Sequence, residues 1–177
     1  ILDQFTIFGT IENINKLNNY YKKSKSLKEL GFSVCVGNVV WNQNKSILTD
    51  DSSKTLLIYS SNIQSNTLTI KKYANDAKKN YINKKGITGP LLVINRGYGV
   101  GDYNFEYCLI NTNKEYLIEN HLICVKYNGE IGDDELVKKY ENIIKSLENI
   151  KTKEFVKLYF GNNAINTTEL CEVLPIW

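Results

Sequence analysis

The residues best equipped for chemistry stand in three short stretches. The first is Trp41-Asn42-Gln43-Asn44-Lys45, the second Asn95-Arg96-Gly97-Tyr98-Gly99-Val100-Gly101-Asp102-Tyr103, and the third Glu119-Asn120-His121. Arg96 is the single arginine among 22 basic residues, every other one being lysine. Its planar, permanently charged fork grips a guanine edge or a phosphate with two bonds at once, which lysine cannot do. The glycines around it remove side chains that would keep the backbone away from a large ligand. The plainer reading is a hairpin tip that carries an arginine. Asn42, Gln43 and Asn44 each hold a donor beside an acceptor, the pattern that bonds adenine in two places, and Lys45 suits a phosphate. Tyr98 and Tyr103 offer rings to sugars or a base step. Trp41, ending a valine-rich run, reads either as core or as part of this set.

Other chemistries fit less well. His121 is the only histidine, and with Glu119 it makes a candidate base; the alternative is a structural residue, with Asn120, tying a turn at a strand end. No serine or cysteine sits in a nucleophile-elbow context. Gly97-Tyr98-Gly99-Val100-Gly101 lacks both the dinucleotide fingerprint and the Gly-Lys-Ser/Thr ending of a P-loop. It leads toward a strand, so no helix N-terminus follows to hold a pyrophosphate. Cys35, Cys108, Cys124 and Cys171 show no C-x-x-C spacing, which argues against zinc. Three of them, Cys35, Cys108 and Cys124, lie in apolar runs and are expected as reduced core residues in a cytoplasmic protein.

At 177 residues the chain is long enough for one sizeable domain without disulfides. A hydrophobic fraction of 42% excludes a disordered polymer. No apolar run approaches the ~20 residues that cross a bilayer, so no membrane partner is expected. The net charge of +3 permits a nucleic-acid partner without demanding one. Methionine is absent even at position 1, so the chain is expected to be a fragment from within a longer protein.

Helical spacing of Ile11, Ile14, Leu17 and Tyr21 predicts a helix near the start, and Ser26-Leu27-Lys28-Glu29 forms a capping-box pattern. Strands are predicted over 32–41, 56–59, 67–70, 91–94, 105–110, 116–118 and 121–127. Residues 71–86 carry six lysines with Tyr73 and Tyr81, and read either as a solvated helix or loop or as a phosphate-contacting segment. Helices are expected from Asp133 to about Leu147 and from Thr152 to about Phe160, with a last turn at Thr167.

Four segments, taken in order, resemble a known family. Val36-Gly37-Asn38-Val39-Val40-Trp41-Asn42-Gln43-Asn44-Lys45 is similar to a "V-V-W-N-x-x-K" opening preceded by glycine. Gly89-Pro90-Leu91-Leu92-Val93-Ile94-Asn95-Arg96-Gly97 resembles "G-P-x-[LV]-[LV]-x-x-R-G", and Glu119-Asn120-His121 resembles an "E-N-H" that follows it. Glu169-Leu170-Cys171-Glu172-Val173-Leu174-Pro175-Ile176 looks like a C-terminal "E-L-x-x-L-P-I". Together they resemble the target recognition domain of adenine-specific DNA methyltransferases from restriction–modification systems. The Asn/Asp-Pro-Pro-Tyr/Phe motif that performs methyl transfer in such enzymes is missing, since the only prolines are Pro90 and Pro175.

The resemblance implies a DNA-reading part of a methyltransferase or of a fused restriction–methylation enzyme. Its partners would be double-stranded DNA and the catalytic methyltransferase domain of the same chain. It would have no activity of its own, and S-adenosylmethionine would bind in the upstream catalytic domain. The expected fold is α+β: a mostly antiparallel twisted sheet or partly open barrel, with helices from both ends of the chain packed on it, as a single domain over 1–177. The specificity subunit of a multi-subunit restriction enzyme is the nearest alternative. A small hydrolase or transferase using His121 is the alternative from another class.

Overall fold

The computed structural model of the chain describes residues 6, 8–97, 103–160 and 164–177. These fall into two compact units, through which the chain passes alternately. One comprises Ile1–Val34, Gly97–Phe105 and Lys126–Trp177, the other Cys35–Arg96 and Glu106–Val125.

The first unit is mainly helical. Helix α1 (Ile11–Tyr21) starts at Thr10, whose hydroxyl accepts from the Asn13 N–H at 3.3 Å. The predicted capping box forms: the Ser26 N–H donates to Glu29 Oε2 at 2.7 Å and the Glu29 N–H to Ser26 Oγ at 3.2 Å. Helix α2 (Asp133–Glu148) opens on Asp133, Asp134 and Glu135, acids set at the positive end of its dipole. It ends at Asn149, whose side chain accepts from the Lys151 N–H and so starts helix α3 (Ile150–Tyr159). Phe155, fully buried, gathers the rings of Tyr20, Tyr21, Tyr159 and Phe160 at centroid distances of 4.9–6.2 Å. The chain closes with a wide helical turn, Glu169–Val173, that buries Leu170, Val173, Leu174 and Ile176. A two-way backbone bridge then joins Ile176 to Lys25. The "E-L-x-x-L-P-I" segment is therefore packing apparatus.

The second unit holds most of the sheet residues. One has the order β1-β10-β7-β8, from β1 (Phe32–Val36), β10 (Leu122–Tyr127), β7 (Leu91–Asn95) and β8 (Tyr107–Ile110). β7 pairs antiparallel with both β10 and β8, and its Leu92, Val93 and Ile94 are fully buried, as a continuous apolar run suggests. The other has the order β2-β6-β3-β9, from β2 (Leu48–Thr49), β6 (Tyr81–Ile82), β3 (Thr55–Ile58) and β9 (Tyr116–Ile118), with β3 and β9 parallel. A small hairpin joins β4 (Ile63–Gln64) to β5 (Thr67–Leu68) through Ser65 and Asn66, both at positive φ. The class is α+β and mostly antiparallel, and the sheets do not close into a barrel.

Three expectations need correction. The strand predicted over 32–41 ends at Val36, because Gly37 lies against the backbone of the segment after β9. A Cβ on Gly37 would stand 2.3 Å from the Glu119 carbonyl oxygen and 2.5 Å from that of Ile118. The chain thus leaves the first sheet and meets the second, where Val39 bridges Glu119 in parallel. The strand predicted over 67–70 shrinks to β5, the short arm of the hairpin. Residues 71–86 take the loop form that the sequence allowed beside a helix, an irregular chain interrupted by β6. Cys108 and Cys124 are buried as expected, but Cys35 is only half-buried at the margin of the core.

Candidate nucleic-acid interface

Three of the four resemblance segments meet within the second unit. The Gly37 N–H donates to the Leu122 carbonyl at 2.9 Å, and the Asn120 N–H to the Val39 carbonyl at 2.9 Å. On the other side of Leu122, the β7–β10 ladder pairs it with Asn95. That is the last pair of the ladder, and the next residues on the two strands are Arg96 and His121, both exposed. The turn before β10 is held by Glu119, whose side chain is 2% exposed. Its carboxylate accepts from the His121 N–H at 3.0 Å and lies 2.7 Å from His121 Nδ1, so the imidazole orientation is fixed. Asn120 Oδ1 is buried with no hydrogen-bond partner. Asn95 is half-buried, its amide donating to Glu106 at 3.3 Å.

Past Val39 the chain makes two consecutive 3-10 turns, Trp41–Gln43 and Lys45–Ile47. Trp41 and Ile47 turn inward onto a cluster of Val39, Leu57, Tyr59, Ile82 and Leu117. Asn42, Gln43 and Lys45 are exposed. Asn44 differs: its amide donates to the Val40 carbonyl at 2.9 Å and closes the first turn. Trp41 combines both sequence readings, packed below and only half-buried, with the Lys45 ammonium 5.5 Å from its ring.

A feature missed in the sequence adjoins this turn. The Lys78 ammonium sits 4.2 Å from the Tyr59 ring centroid, 4.3 Å from that of Tyr73 and 5.9 Å from that of Trp41. Burial lowers the Lys78 pKa, while the nearby Glu119 carboxylate opposes that shift. Burial likewise pushes the Tyr59 and Tyr73 phenols up. Tyr73 is further fixed by its hydroxyl, 3.2 Å from Asn62 Oδ1. Lys78 therefore anchors its loop from within, and Lys79 is paired with Asp50 at 2.6 Å. Two of the six lysines between 71 and 86 are thus engaged by neighbouring side chains. Only the interleaving of tyrosine and lysine in the sequence hinted at this.

The remaining sequence candidates lie elsewhere. Tyr103 belongs to the first unit, is 8% exposed and meets Phe105 edge-on at 5.0 Å, which leaves little ring face for stacking. Tyr98 and the glycines after it, Gly99 and Gly101, lie outside the described residues. Among the described residues no group of histidine, cysteine and acidic side chains suits a metal ion, and no helix is long and apolar enough to cross a membrane.

No protein-family model matches the chain. Over 108 residues, 57% of its length, the chain is 32% identical to the Type II methyltransferase M.CvrRI of Paramecium bursaria Chlorella virus XZ-6E. The matched stretch is 26% of that relative, so the chain spans about a quarter of the length of the protein it matches.

Proposed function

We propose that this chain is a target recognition domain of an adenine-specific DNA methyltransferase of a restriction–modification system, reading double-stranded DNA by sequence. The observation that carries the proposal is the meeting of three chemistry-bearing segments at the end of the β7–β10 ladder. Arg96 and His121 follow the last ladder pair, and the exposed turn of Asn42, Gln43 and Lys45 springs from the Val39–Glu119 bridge. Side chains with paired donors and acceptors on backbone fixed in this way suit base edges in a major groove. The similarity to a type II methyltransferase supports the same class.

Within this reading Arg96 grips a guanine edge, Asn42 and Gln43 address adenine, and Lys45 meets a phosphate. Asn95, Asn120 and Glu119 hold the reading backbone, and His121 is presented by Glu119. Among the described residues nothing matches the methyl-transfer machinery that such enzymes carry. Pro90 and Pro175 stand far apart in sequence, so there is no Pro-Pro loop for an adenine amino group. The close approaches at Gly37 and Gly86 are filled by neighbouring protein atoms. Methyl transfer and its cofactor are therefore assigned to a catalytic methyltransferase domain of the same protein. This chain's part is to hold the duplex while the target adenine is flipped out.

Selection from a random duplex library tests the reading: bound DNA should be enriched in one short motif. Binding without enrichment, or no binding at low salt, would reject it. The 2.7 Å Glu119–His121 contact also supports a second reading, a small hydrolase or transferase with His121 as base. A hydrolase and transferase substrate screen decides it, because turnover abolished by His121→Gln would favour the enzyme over the reader.

A further inference from the structure

The second unit carries a cavity of about 650 Å³ that is separate from the turn of Trp41 and from Arg96. It is lined by Lys54, Lys84, Lys85 and Lys114, with Ser52 and Ser53 beside them. Four lysines from three separate stretches of chain thus border one space, and all four are exposed. None of them has a carboxylate within ion-pair distance among the described residues. The acid in the lining, Glu115, sits at the cavity's edge near Lys85, its Oε2 accepting from the Gly86 N–H at 2.9 Å and from the Thr55 hydroxyl at 3.1 Å. Four lysines against one carboxylate leave the lining net positive, and an anion relieves the remaining repulsion.

The lysines are held there by fixed backbone. The Asn83 N–H donates to the Ile47 carbonyl at 2.8 Å, and Ile87 exchanges two 2.9 Å bonds with Tyr116. Between those anchors Gly86 is pressed so close that a Cβ would meet Thr55 Cγ2 at 2.6 Å and the Tyr116 carbonyl oxygen at 2.8 Å. Lys84 and Lys85 therefore rise from a clamped segment, and Lys54 and Lys114 from the turns leading into β3 and β9. Hydroxyls beside ammonium groups form the donor set that phosphate oxygens take.

We propose that this cavity is a phosphate-binding site, built for consecutive phosphates as found in a nucleic-acid backbone or in the polyphosphate of a free nucleotide. It stands at the opposite end of the β3–β9 pair from Glu119. The four residue steps from Glu115 to Glu119 correspond to roughly 13 Å of strand, about four base-pair steps of one DNA strand.

The test is titration of the 177-residue chain with sodium tripolyphosphate at low salt, followed by calorimetry. Three forms are compared: the unaltered chain, Lys84→Gln/Lys85→Gln/Lys114→Gln, and the equal-charge control Lys138→Gln/Lys145→Gln/Lys153→Gln on α2 and α3. Tripolyphosphate should bind the unaltered chain and the control alike, and the cavity variant about tenfold more weakly. Absence of binding to the unaltered chain, or equal weakening in both variants, would overturn the site. A salt series with a 20-base-pair duplex identifies the source. If backbone phosphates occupy the cavity, the cavity variant flattens the slope of log affinity against log salt by about 0.9 per phosphate released. If a free polyphosphate is the ligand, that slope stays unchanged while tripolyphosphate binding is still lost. The two proposals fail separately: loss of tripolyphosphate binding in the cavity variant, with no duplex bound by any form, would reject DNA reading and leave the cavity standing.

Discussion

Arg96 and Gly37 make opposite kinds of demand on their positions, one chemical and one steric. Arg96 is exposed just past the last β7–β10 pair, where Arg96→Lys keeps the charge and loses the two-pronged grip. Affinity for the selected duplex should fall by about 1–3 kcal/mol with little change for a random one. Paired titrations of the two duplexes check this, and equal weakening would make Arg96 a backbone clamp instead of a base reader. Gly37 touches no ligand in this account, yet its hydrogen atom faces two carbonyl oxygens at distances no Cβ tolerates. Gly37→Ala should force the Val39–Glu119 bridge apart and cost roughly 1–3 kcal/mol or more of stability, read from the denaturant midpoint. It should also lower duplex affinity, since Asn120 and the turn of Asn42 and Gln43 hang on that bridge. A variant with unchanged stability would mean that the close approach is not needed.

Among the elements, those with a local signature were legible in the sequence. The strand at Tyr116–Ile118 and the helix starting at Asp133 were read from apolar runs, acidic starts and spacing alone. What escaped depends on partners distant in the chain. The break after Val36 is imposed by Glu119 and Ile118, and the loop of Lys78 is set by rings at Tyr59 and Tyr73. The same limit applied to the candidate site: the sequence could not say which of its residues share an edge or which, like Asn44, close their own turn. The capping box at Ser26 gives an element-scale prediction. The Ser26 N–H holds the Glu29 carboxylate below its ordinary value of 4.5 against the opposing effect of burial, and the Ser26 hydroxyl adds a smaller lowering. A lowered folded value means stability present above about pH 4.5 and lost as pH falls through that folded value. Glu29→Gln should therefore lose stability at neutral pH and show a shallower decline between pH 5 and about pH 2, as thermal melts across that range would record. The effect is small because the side chain is solvent-exposed.

For the whole molecule, a net charge of +3 is too small to bind DNA by bulk attraction, so the placement of its lysines must decide. Log affinity for any duplex should fall linearly with log salt, and Lys45→Ala should flatten that line by about one unit while weakening selected and random duplexes alike. Titrations at three salt concentrations measure both. A flat response in the unaltered chain would remove DNA as the partner. The double turn from Trp41 to Ile47 has a further consequence for how such a protein can diversify. Trp41 and Ile47 face the core, and the turn is tied at one end by the Val39–Glu119 bridge and at the other by the pairing of Leu48 with Ile82. Asn42, Gln43, Lys45 and Ser46 between them are exposed. Replacing those four side chains disturbs neither tie nor core. Under the proposed function, a lineage or an engineer can therefore change what the domain reads by rewriting one short cassette, while the scaffold is inherited intact.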